Sequence, residues 1–61
     1  MRAFILVVER NLLLRQTLID LLTALGHEAL GTSSAIRGLQ LLKYLGFDVL
    51  ITSPRTTLIE E

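Results

Sequence analysis

Three side chains here are of types that do phosphate or acid–base chemistry, and each stands where an apolar run stops. Glu9 brings a carboxylate and Arg10 a guanidinium, directly after Ala3–Val8 (AFILVV). Ser53 brings a hydroxyl, directly after Asp48–Thr52 (DVLIT). If both runs are neighbouring parallel strands, the three converge at the carboxyl ends of the sheet, where ligands of open α/β sheets bind. A cation beside a helix start suits an anion, because the first N–H groups of a helix point outward with partial positive charge. The simpler reading is a solvated Glu9–Arg10 pair on a loop. A serine without a base is a weak nucleophile. His27 follows Gly26, has no sequence neighbour to work with, and reads as a surface turn residue. Ser33 and Ser34 read as helix caps, and Ser53-Pro54 as a strand-ending turn, since proline withholds a ladder donor.

The elements that must position these groups follow from periodicity. Ala3–Val8 is continuous, apolar and rich in β-branched residues, which fits a strand covered on both faces. Over residues 11–25, Leu14, Leu18, Leu21, Leu22 and Leu25 fall on one helical face. Asn11 is placed to cap that helix and Gly26 to end it in a left-handed conformation. Leu12 and Leu13 lie off the stripe, either as incidental surface leucines or as an interface patch. Glu28–Thr32 is a weaker strand, interrupted by Gly31. A second helix spans about residues 35–45, with Ala35, Leu39, Leu42 and Leu45 as its stripe, Lys43 favouring its last turn and Gly46, like Gly26, at the left-handed C′ position. Gly38 costs that helix up to ~1 kcal/mol relative to alanine. Asp48–Thr52 is a second strand of the buried type. Residues 1–54 form one domain, and residues 55–61 a polar-leaning tail whose large apolar residues are Leu58 and Ile59.

The order strand, helix, strand, helix, strand implies parallel pairing with right-handed crossovers. Because the first and third runs look buried and the second does not, the expected class is α/β with strand order 2-1-3. That places the helices on opposite sheet faces. The chain has 61 residues, no cysteine and one histidine, so disulfides and thiolate metal sites are excluded. It is 51% hydrophobic, with a mean hydropathy of +0.57, too apolar for disorder. Six basic and six acidic residues cancel, so no cationic surface drives nucleic-acid binding. No charge-free stretch approaches the ~18 residues of a membrane span. The initial apolar run is too short for a signal peptide. Together with the missing cysteines, this gives a cytoplasmic expectation.

The stretch ILVVERNLLLRQTLIDLLTALGHEA, followed by SSA and GLQLLKYLGFDVLITS, resembles the first half of a response-regulator receiver domain, the CheY-like member of the flavodoxin-like folds. The likeness runs from about Ile5 to Arg55. It implies that Glu9 stands at the first of two acidic Mg²⁺-binding positions, Arg10 at the second in place of Asp or Glu, and Ser53 where the phosphoaccepting Asp belongs. The later Ser/Thr and Lys of the family have no counterpart. Mg²⁺ takes carboxylate oxygens in octahedral geometry, and phosphoryl transfer needs an anionic nucleophile with a cation beside it. The expected site is therefore vestigial, and no cofactor, metal or catalysis is expected.

A half-receiver leaves its third strand as an apolar edge, a surface natural proteins avoid exposing. The expected remedy is a twofold homodimer. Val49, Leu50, Ile51 and Thr52 would form its interface, with Leu12, Leu13, Leu58 and Ile59 as further candidates. Edge pairing in the order 2-1-3-3′-1′-2′, packing of uncovered faces and exchange of elements remain open. The resulting expectation is a non-catalytic, two-component-type interaction module that also engages another signalling protein, a histidine kinase or a receiver, with neither nucleic acid nor membrane as partner. The alternatives are a truncated piece of a longer response regulator, and a small anion or nucleotide binder at the crevice.

Overall fold

The computed structural model describes residues 1–53. Strand β1 (Phe4–Val8), helix α1 (Leu12–Ala24), strand β2 (Glu28–Thr32), helix α2 (Ala35–Tyr44) and strand β3 (Val49–Thr52) follow in that order. The fold is α/β, with a three-stranded sheet ordered β2-β1-β3 and both pairings parallel. The expected 2-1-3 order is therefore present, and the most apolar run takes the centre. Ile5, Leu6, Val7 and Val8 are buried, Leu6 and Val7 completely, which makes β1 the core.

The register shows which side chains share a face. Ile5, Ala29 and Val49 form one row and Val7, Gly31 and Ile51 another, both on one face, because side chains alternate along a strand. The rows Leu6, Leu30, Leu50 and Val8, Thr32, Thr52 occupy the other face. A Cβ on Gly31 would stand 2.5 Å from Ile19 Cδ1 and 3.1 Å from Arg15 Cγ, so α1 lies on the first face. A Cβ on Gly38 would stand 2.8 Å from Val8 Cγ2 and 3.8 Å from Thr32 Cγ2, so α2 lies on the second. The helices thus sit on opposite faces, as right-handed crossovers in this strand order require.

Local chemistry starts and stops the helices. Asn11 Oδ1 accepts the Leu14 N–H at 2.9 Å, and Ser34 Oγ accepts the Arg37 N–H at 3.1 Å. Gly26 has φ +93°, a conformation a side chain would strain. Gly46 differs from expectation: it is not left-handed, and α2 ends instead at Leu45 with extended φ −119° and ψ 146°.

Both helices are rolled relative to their leucine stripes. In α1 the half-buried residues are Arg15, Leu18, Ile19 and Leu22, whereas Leu14, Leu21 and Leu25 are exposed. At 100° per residue this turns the inner face by about 60° from the expected stripe. The cause is Gly31, whose missing side chain leaves a notch into which Ile19 and the stem of Arg15 settle. In α2 the buried residues are Ala35 and Gly38, while Leu39, Leu42 and Leu45 are exposed. The small residues let the helix backbone approach β1 directly.

β3 also departs from its sequence pattern. It reads as buried on both faces, yet Val49 is 43% and Leu50 47% exposed. Neither helix packs against it, and among the described residues its outer edge pairs with no strand. Its entry into the sheet is nevertheless well fixed. The Asp48 N–H donates to Phe4 O at 2.7 Å, and Asp48 Oδ2 accepts the Phe4 N–H at 2.8 Å. The Phe47 and Phe4 rings stack with centroids 4.2 Å apart. His27, expected as a turn residue without a partner, is half-buried and accepts the Ala3 N–H on Nδ1 at 3.0 Å. Leu58, Ile59 and the 54/55 domain boundary lie outside the described residues.

Candidate functional site

The carboxyl ends of β1 and β3 do bring Glu9, Arg10 and Ser53 to one end of the sheet. The Glu9 N–H donates to Thr32 O at 3.0 Å, prolonging the β1–β2 ladder by one residue. The Ser53 N–H donates to Val8 O at 3.4 Å, prolonging the β1–β3 ladder in the same way. Glu9 therefore continues β1 beside the end of β2, Ser53 lies beside Val8 on the β3 side, and Arg10 is exposed beyond Glu9.

The Glu9 side chain is only 8% exposed, unusual for a carboxylate. Its position is explained by two bonds. Oε2 accepts the Asn11 N–H at 3.0 Å, and the Glu9 carbonyl accepts Arg15 Nη1 at 2.8 Å. Glu9 thus closes the β1–α1 turn on itself: its carboxylate takes an N–H at the start of α1, where negative charge is favoured, and its backbone is held from inside the helix. Arg15 is the residue that the sequence reading missed. Its aliphatic stem lies in the Gly31 notch while its head reaches the turn, a common habit of long cationic side chains. The available signal was the glycine in β2, which leaves room for that stem.

The arrangement holds one carboxylate already engaged by backbone and one serine at the strand end. Among the described residues no group of three or more His, Asp or Glu converges to hold a metal ion. The chemistry this geometry supports is turn closure.

The interface candidates divide. Leu12 and Leu13 are exposed in the first turn of α1, next to the crevice. Val49 and Ile51 belong to the α1 face of β3, and Leu50 and Thr52 to the α2 face. Among the described residues no helix is long and apolar enough to cross a membrane.

What fold and site define is an α/β unit with helices on both faces of a three-stranded parallel sheet and a buried, backbone-bound glutamate at its crevice. No family model matches the chain, and neither a curated protein nor a solved structure is matched by it.

Proposed function

We propose that this chain is a non-catalytic receiver-like module of two-component type, half of a CheY-like fold, which acts as a homodimer and is not phosphorylated. The observation that carries this reading is the state of the crevice. The glutamate at the first acidic position has an oxygen committed to the Asn11 N–H, and the strand-end position of the phosphoacceptor is a serine. Phosphoryl transfer would require a carboxylate nucleophile and a cation held by several oxygens. The exposed β3 supports the dimer, since among the described residues Val49 and Leu50, on its two faces, are exposed and its outer edge pairs with no strand. A histidine kinase or a receiver is the partner class that such a module would engage.

Incubation with acetyl phosphate and Mg²⁺, followed by intact-mass spectrometry, tests the inert site. The mass is expected to stay unchanged, and a phosphoryl adduct on Ser53 would overturn the reading. Sedimentation velocity at low micromolar concentration tests the assembly: a dimer is expected, and a compact, stable monomer refutes it.

A further inference from the structure

α1 is a helix of 13 residues that carries six leucines and isoleucines beyond Leu12, and none of its residues is buried. A helix that is apolar around most of its circumference belongs inside a structure. The exposed leucines are not scattered. Ile19 and Arg15 rest over Gly31 of β2, which fixes the roll of the helix. At 100° per residue, Leu14, Leu21 and Leu25 then lie about a quarter turn from the sheet-facing arc, on the flank away from Ile19 and β2 and so on the β3 side of the helix. They are 48, 55 and 65% exposed. Leu13, Thr17 and Ala24 lie on the adjoining outer arc and are also exposed. The charged residues of α1, Arg15 and Asp20, lie outside both arcs. Below the leucine flank is the α1 face of β3, where Val49 is exposed and Ile51 half-buried among the described residues.

A ridge therefore stands beside a trough, both apolar and both without charge. A twofold axis along the strands places the ridge of each copy in the trough of the other. The spacing of the ridge fits such an axis. Leu14, Leu18, Leu21 and Leu25 are separated by four, three and four positions, the alternation of d and a positions in a parallel two-stranded seam.

Edge pairing leaves the same surface bare. With strands 4.7–4.9 Å apart, β1 and its mate would be separated by three spacings. α1 lies over β1 and β2, so the two α1 helices would be about 19 Å apart, whereas packed helices are separated by 8–10 Å. Burying half the cylinder of α1 together with the face of β3, in both copies, covers on the order of 1,000 Å², the lower bound for a specific interface.

We propose that α1 is the dimerisation element: two copies pack α1 face to α1 face, and their α1 helices form a parallel middle layer between two sheets. Leu14, Leu21 and Leu25 meet their mates, and each α1 covers the partner's Val49 and Ile51. This rests on the homodimeric reading above and selects face packing over edge pairing.

The absence of cysteine makes the test direct. The Leu21→Cys variant of the full chain is oxidised mildly and run on a non-reducing gel, alongside Leu50→Cys. In the parallel layer Leu21 faces its own mate within disulfide reach, so most of Leu21→Cys becomes covalent dimer and Leu50→Cys does not. Leu25→Cys, at the next seam position, repeats the measurement should Leu21→Cys fold poorly. Linkage through Leu50→Cys with the seam cysteines unlinked overturns the proposal in favour of edge pairing and leaves the dimer standing. Unlinked seam cysteines in a chain that sediments as a dimer also overturn it. A wild-type chain that sediments as a folded monomer removes both this proposal and the reading beneath it.

Discussion

Gly38→Ala separates two opposed effects at one atom. On helix propensity alone the change stabilises α2 by about 1 kcal/mol. The new Cβ, however, would stand 2.8 Å from Val8 Cγ2, when carbon atoms in contact prefer 3.5–4.0 Å. Val8 is only 4% exposed, sits in the central strand and has a stiff β-branched side chain. The strain therefore falls on the helix, which must lift from the sheet or shift along it. Overpacking of this kind costs roughly 1–3 kcal/mol, so after the propensity gain the net loss is expected to be about 1 kcal/mol. For a chain this small, with a urea slope of about 1 kcal/mol per molar, the unfolding midpoint falls by about 1 M. The measurement is urea unfolding by circular dichroism at one fixed protein concentration, because a dimer's midpoint moves with concentration. Gly46→Ala is the control: a Cβ there meets nothing within 4 Å, and the midpoint should hold or rise. Val8→Ala costs stability by itself, but in the double-mutant cycle with Gly38→Ala it should cost about 1 kcal/mol less than in the wild type, because the close contact is gone. If Gly38→Ala raises the midpoint, the close approach of α2 to β1 is wrong.

Four further outcomes are expected. Asn11→Ala and Ser34→Ala each remove a helix cap and should each lower stability by about 1 kcal/mol in the same urea assay. Asp48→Ala, which takes away the acceptor of the Phe4 N–H, should cost about 1 kcal/mol at this solvent-exposed bond, and Asp48→Asn, which keeps an acceptor, should cost less. Gly26→Ala forces a side chain into φ +93° and should cost about 1 kcal/mol, seen as a lower thermal midpoint. Lysine at Val49 or Ile51 should abolish the dimer in sedimentation velocity, since each would place a charge on the α1 face of β3.

The strand order was legible because the first and third runs lack alternation while the second is interrupted by Gly31, which sends β2 to an edge and sets β1 between it and β3. Both N-caps were legible for a local reason: Asn11 and Ser34 act within three residues of their partners. The roll of the helices was not legible from the stripes. It is decided by Gly31, which seats α1 from β2, and by Gly38, which lets α2 approach Val8 of β1, and a periodicity count treats both only as weak points. The exposure of β3 was hidden for a related reason. Its composition specifies a covered strand, whereas coverage depends on what lies beside it. At the crevice, the meeting of Glu9, Arg10 and Ser53 followed from topology. The burial of Glu9 and its hold by Arg15 did not, because they depend on a side chain six positions along threading a gap in another strand. His27 was misread in the same way, its partner being 24 residues away.

The central place of β1 has a consequence for the order of events during synthesis. β1 leaves the ribosome before either of the two strands that are laid against it. Its second neighbour begins only at Val49. At roughly 5–20 residues per second, the run Ile5–Val8 waits for seconds with one side unmatched. Any nascent-chain factor that shields Ile5–Val8 should therefore raise the yield of folded protein more than one acting on later segments.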